Sequence, residues 1–173
     1  MNQNIKKMTI TSLCIGLGLI LPSALHMIPN AGSIFLPMHI PILLCGLLCG
    51  PIYGGFAGII TPFLSSTLTS MPPAPILPGM MCELFTYGLV SGLACRYIQT
   101  KNKMLNIYLS LMISMICGRL MLGMLNSLIF MVGNYSLQIF LTTSFIRAIP
   151  GIVIQLAFLP SIVYLLKYKV KVI

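Results

Sequence analysis

The chain is short of charge, and above all of acid. Only 6% of its 173 residues are charged, and Glu83 is the single acidic side chain. A soluble domain carries roughly 25% charged residues, so a water-facing surface cannot be assembled from this composition. One carboxylate excludes the paired acids of general acid–base catalysis. It also serves a proton- or sodium-coupled carrier poorly, since no second carboxylate is there to hold a coupling ion. No HExxH, no GxSxG with a partner acid and no nucleotide-binding loop occurs. The chain is therefore expected to be no enzyme and to need no cofactor, and any energy from ATP must come from another subunit. An internal repeat is lacking too, and the uneven proline and glycine spacing argues against an inverted-repeat transporter.

What is present is apolar. Hydrophobic residues make up 58% of the chain, and the mean hydropathy is +1.03. Lipid must cover most of the outside, so residues 1–173 are expected to form a single all-α membrane domain. Six cysteines (Cys14, Cys45, Cys49, Cys82, Cys95 and Cys117) lie inside apolar runs. Cys45 and Cys49 are one helical turn apart, but no histidine or second cysteine pair completes a metal site. No metal is expected. The basic start followed by an apolar stretch resembles a signal peptide, yet no clean small-x-small cleavage site follows, and the segment reads as a retained first span.

The formal charge of +9 falls in three clusters. Lys6 and Lys7 precede the first apolar run. Arg96, Lys101 and Lys103 share a linker, and Lys167, Lys169 and Lys171 close the chain. This is the positive-inside pattern of membrane flanks, not the basic face of a nucleic-acid binder. If all three clusters are cytoplasmic, the number of spans between successive clusters is even. Residues 8–95 hold four spans of about 20 residues, and 104–166 hold two. The expectation is a polytopic protein of six transmembrane helices, at about 8–27, 38–49, 53–69, 78–97, 104–132 and 142–166, with both termini cytoplasmic. Breakers support these limits: Pro29-Asn30-Ala31-Gly32, Gly50-Pro51 and Met71-Pro72-Pro73-Ala74-Pro75.

Three charges remain inside spans: Glu83, Arg119 and Arg147. Each costs a few kcal/mol on insertion scales and must face a partner or a wet cavity. Arg119 lies roughly 23 Å along its helix from the cytoplasmic end, and Arg147 roughly 30 Å from the basic tail. Glu83 sits about a turn inside the outer end of its span, with His26 and His39 also at outer ends. The ionisable groups outside the clusters thus all fall in the outer half, which suggests an outward-facing polar pocket. Helical spacing extends it. Glu83 shares a face with Tyr87, Arg119 with Gly123 and Asn126, and Arg147 with Gly151 and Gln155. Gly123 is expected to open space beside the Arg119 guanidinium. Two cations against one carboxylate favour an anionic or strongly polar small ligand, with His39, Glu83, Tyr87, Arg119, Asn126, Arg147 and Gln155 as candidate contacts. The alternative is an Arg–Glu pair that only locks helices together, with the second arginine snorkelling to the interface.

Several segments carry a resemblance to a known family. Phe35-Leu36-Pro37-Met38-His39-Ile40-Pro41, Gly46 and Gly50-Pro51-x-Tyr53-Gly54, Thr61-Pro62-Phe63-Leu64-Ser65-Ser66, and Glu83-Leu84-x-Thr86-Tyr87-Gly88-Leu89 are similar to stretches of the substrate-binding S-component of energy-coupling factor (ECF) vitamin transporters. The resemblance covers nearly the whole chain. It implies capture of a vitamin or related micronutrient, a coupling transmembrane subunit and two ATPase subunits as partners, and a prokaryotic cytoplasmic membrane. Small residues one turn apart in the first span dock on the coupling subunit in that family. The matching position here is Ser12-x-x-x-Gly16, with Cys14-x-x-x-Gly18 beside it. The other classes kept open are a small stand-alone carrier or channel and a structural membrane protein.

Overall fold

A computed structural model describes residues 2–25, 31–130 and 136–169, and among these every regular element is helical. The helices are α1 (Gln3–Ala24), the short α2 (Ala31–Phe35), α3 (His39–Cys49), α4 (Pro51–Thr69), α5 (Leu77–Tyr97), α6 (Lys103–Leu125), α7 (Leu137–Leu141) and α8 (Ile149–Tyr164). Wider π-helical turns extend α6 through Asn126–Phe130, α7 through Thr142–Ile146 and α8 through Leu165–Lys169. The expected ends of the first and fifth spans, at 27 and 132, lie outside the described residues, as does His26.

Local chemistry sets the boundaries. The Asn2 and Asn102 side chains accept from the backbone N–H groups of Asn4 and Met104, capping α1 and α6. Gly50, at a φ of 98°, turns the chain through a backbone conformation that residues with a side chain rarely adopt, and Pro51 opens α4 at the position where its missing N–H costs nothing. Past α4, the Ser65 and Ser66 hydroxyls donate to the carbonyls of Met71 and Pro72 at 2.7 and 2.8 Å, folding the proline-rich loop back onto the helix end.

Three helices are long and apolar enough to cross a bilayer: Gln3–Ala24, Lys103–Ile129 and Ile149–Lys169. In α4 and α5, 19 and 21 residues long, glycine, serine, threonine and proline dilute the apolar content. Those small residues are where the bundle is tightest. Gly54 and Gly58 on α4 meet Gly88 and the backbone of Leu84 on α5, while Gly92 lies against Pro51. A Cβ at any of these positions would run into backbone. Two small-xxx-small stripes thus bring α4 and α5 into backbone contact, the close approach that drives helix association where lipid offers no hydrophobic incentive.

Helix α3 is the hub. It touches α1, α4, α5, α6 and α8, and nearly all of its side chains are buried, Ile42, Leu43 and Cys45 completely. An apolar helix surrounded by others is buried on all faces. The outer helices instead expose large apolar side chains, such as Leu13 and Ile20 on α1, Phe56 and Phe63 on α4, Ile116 on α6 and Phe158 on α8. A surface of this kind suits hydrocarbon and not water.

The three basic clusters converge on one end of the bundle. The Cys49 thiol reaches the Lys7 carbonyl at 3.6 Å, Lys167 Nζ donates to the Leu47 carbonyl and the Cys95 sulfur, and Lys103 Nζ lies 4.6 Å from the Tyr168 ring centre. Glu83 is 12 residues up α5 from Cys95, about 18 Å at helical rise, so it lies towards the opposite end.

Candidate functional site

At that opposite end α3, α5 and α6 bring four of the sequence-predicted residues together. His39 is the first residue of α3, and its backbone N–H donates to the Leu36 carbonyl at 3.0 Å. Leu36 itself holds a left-handed φ of 51°, which a buried leucine adopts only where its surroundings enforce it. Glu83 and Tyr87 sit one turn apart on the buried face of α5. Arg119 follows Gly118 on α6, and the Tyr87 ring occupies the space a side chain at 118 would need. Arg119 Nη1 is 3.0 Å from Glu83 Oε1. His39 Nε2 is 3.6 Å from the same oxygen, and its ring meets Tyr87 edge-on at 5.1 Å between centres.

All four side chains are buried, with Glu83 only 4% and Arg119 5% exposed. Their hydrogen-bonding capacity is nonetheless far from used. Among the described residues, Arg119 Nη2 and both imidazole nitrogens of His39 have no hydrogen-bond partner. Glu83 Oε1 takes the charge of Arg119, but that contact lies off the N–H axis, so the oxygen also lacks a well-aligned hydrogen bond. Buried polar atoms are normally satisfied, and a cluster of exceptions calls for an explanation.

Gln155, on α8, is a further buried polar residue. It is 1% exposed, with Nε2 unpartnered, one turn along α8 from Gly151, whose missing side chain lets α8 lie on the backbone of Ile34 and Phe35. The buried positions Ser144, Ala148, Gly151, Gln155, Leu159 and Val163 form one continuous stripe. Ser144, whose buried hydroxyl also lacks a partner, was not singled out from the sequence. The Thr142-Thr143-Ser144 run carries no charge, and only the spacing of the stripe would have pointed to it.

Two expectations need correction. Arg147 does not join the cluster: it is exposed. The four-residue step from Arg147 to Gly151 assumed a continuous helix, whereas the π-turn Thr142–Ile146 is followed by a break at Arg147 and Ala148 before α8 starts. The buried stripe Ser144, Ala148, Gly151 and Gln155 runs through this turn, and Arg147 lies at its exposed edge. Gly123 does not open room beside the Arg119 guanidinium either, because the Phe140 ring fills it. Asn126 is half-buried at the junction where α6 widens into its π-turn. A groove of about 390 Å³ runs along this region, lined by Leu120, Met124, Leu128, Leu137 and Phe140 among others. Four of these five side chains are exposed, so the groove is open at the surface of the bundle.

The two small-residue pairs on α1 separate cleanly. Gly18 packs on Thr61 and Pro41, and Cys14 is buried beside it. Ser12 is exposed, and a Cβ at Gly16 would meet nothing within 4 Å among the described residues. The first pair is thus used inside the bundle and the second is open.

Among curated proteins and solved structures, no match reaches significance. The family described as ECF transporter, substrate-specific component, matches residues 6–168. With nearly the full chain covered, and an all-α apolar bundle that buries a polar cluster at one end, the protein belongs to the substrate-specific components of ECF transporters.

Proposed function

We propose that the protein captures a vitamin-like micronutrient from outside a prokaryotic cytoplasmic membrane, in a pocket built on His39, Glu83, Tyr87, Arg119 and Gln155. Membership of the family implies a membrane-embedded substrate-binding subunit that works with an ECF transmembrane subunit and ATPases and is not itself an ATPase. The observation that carries the site is the set of buried, unpartnered polar atoms on α3, α6 and α8, in a bundle that otherwise buries mostly apolar or small side chains. Leaving such groups without partners costs about 1–3 kcal/mol each, and a ligand that supplies the partners recovers that cost. Six spans, with both termini and the linker at 98–102 on the cytoplasmic side, put this cluster near the outer surface. The open face of α1 at Ser12 and Gly16 is the surface offered to the coupling subunit.

The test starts with native mass spectrometry of the purified protein to identify a retained small molecule. Uptake of that molecule is then measured in vesicles containing the protein with and without the coupling subunit and its ATPases. ATP-dependent uptake that needs the partners supports the proposal. Uptake without them would make the protein a stand-alone carrier.

A further inference from the structure

Of the ten lysines and arginines, all but Arg119 and Arg147 belong to the three basic clusters. The contacts of the α8 extension show how those clusters adjoin. Lys167 reaches Cys95, the residue before Arg96 on α5. Its neighbour Tyr168 lies beneath Lys103 at the start of α6, and Lys169 follows. Arg96, Lys103 and Lys169 thus stand on three adjoining helix ends, and all three are exposed. No acid answers them. Glu83 is the one acidic side chain of the sequence, and Arg119 holds it towards the opposite end.

Exposed like charges on adjoining helix ends repel, and a counter-anion lying between them relieves that repulsion. The side chains beside them indicate what form the anion takes. Each cluster borders exposed apolar or aromatic residues on its own helix. Met8 follows Lys7, Tyr97 follows Arg96, Leu105 lies two residues beyond Lys103, and Leu165 lies one turn before Lys169. Tyr97 is 76% exposed, and a tyrosine left so bare beside an arginine suits the boundary between headgroups and hydrocarbon. An acidic protein surface would meet the charges but not the apolar side chains next to them. An amphiphile meets both. We propose that this end of the bundle is a binding surface for anionic phospholipid, whose phosphate is held by Arg96, Lys103 and Lys169 while its acyl chains cover the neighbouring apolar side chains. Lys167 takes no part, because its ammonium is committed to the Leu47 carbonyl and Cys95. On the six-span reading the leaflet concerned is the cytoplasmic one, where anionic lipids attract basic segments.

The test is a thermal melt of the purified chain in neutral detergent, titrated with dioctanoyl phosphatidylglycerol and, separately, with dioctanoyl phosphatidylcholine. Each cation beside an anionic lipid is worth roughly a fivefold change in binding. Phosphatidylglycerol is therefore expected to raise the melting temperature saturably, at a concentration at least about tenfold below that needed for phosphatidylcholine. The Arg96→Gln/Lys103→Gln/Lys169→Gln variant is expected to lose that preference while melting, without added lipid, close to the wild type. Should the variant not fold, the wild type in 1 M sodium chloride takes its place, since screening to about 3 Å is expected to abolish the preference. Equal stabilisation by the two lipids overturns the proposal, and so does a preference that the triple variant, or high salt, leaves intact. Glycerol 1-phosphate as effective as the lipid would show a site for free phosphate, and polyglutamate as effective would show one for an acidic protein. Either result also overturns the assignment to lipid.

Discussion

The Glu83–Arg119 pair allows fold and function to be separated by a single cycle of variants. Replacing Arg119 by methionine leaves the Glu83 carboxylate, 4% exposed, without its counter-charge. Removing one member of a buried pair costs about 3–5 kcal/mol, while replacing both by neutral groups of similar volume is often neutral or stabilising. Arg119→Met and Glu83→Gln are each expected to fall in that range and the double variant within about 1 kcal/mol of wild type, giving a coupling energy of roughly 5 kcal/mol or more. Binding is expected to behave differently. The double variant regains stability but not the guanidinium donor, so its affinity for the retained ligand falls by roughly ten- to a hundredfold, the equivalent of about 1.5–3 kcal/mol for a charge-assisted bond. Unfolding in mixed micelles, followed by circular dichroism because the chain has no tryptophan, gives the stabilities, and calorimetry gives the affinities. A stable double variant with wild-type affinity would refute the site and leave the pair as helix glue. Additive single effects would show that the two charges do not depend on each other at all.

Other residues give independent expectations. Gly16→Leu points into open space, so the isolated subunit should fold and bind ligand normally while co-purification with the coupling subunit is lost; Gly18→Leu, which collides with Thr61, should lower the melting temperature of the subunit itself. Lys167→Met removes the donor to the Leu47 carbonyl, which is left without its helical partner because residue 51 is proline; a destabilisation of about 1 kcal/mol is expected for this half-buried contact, read in the same unfolding assay. For topology, Lys101→Cys in a background cleared of native cysteines should resist a membrane-impermeant thiol reagent in intact cells while Pro73→Cys reacts. Labelling of Lys101→Cys from outside would overturn the six-span arrangement.

Much of this protein is decided before any folding is considered. One acid in 173 residues cannot make a soluble surface, and the spacing of three basic clusters led to the expectation that they meet at one end of the bundle, where the structure has them. That Glu83 would pair with one of the span arginines was also legible, because a lone buried carboxylate must find one of very few cations; that it is Arg119 came from the structure. Tertiary structure decided the rest, and the reason lies in helical phase and close packing. Spacing along a helix predicts a shared face, so Tyr87 fell in line with Glu83, but it does not say how wide the buried face is: Ser144, Ala148, Gly151 and Gln155 are buried while Arg147, at the edge of their stripe, is exposed. Nor does spacing say what fills a gap. Gly123 admits Phe140 from another element, Gly118 admits Tyr87, and Gly54 and Gly88 admit each other's backbone. A glycine in the sequence marks that something comes close; only the packed bundle determines whether it is a ring, a neighbouring helix, or, at Gly16, nothing among the described residues.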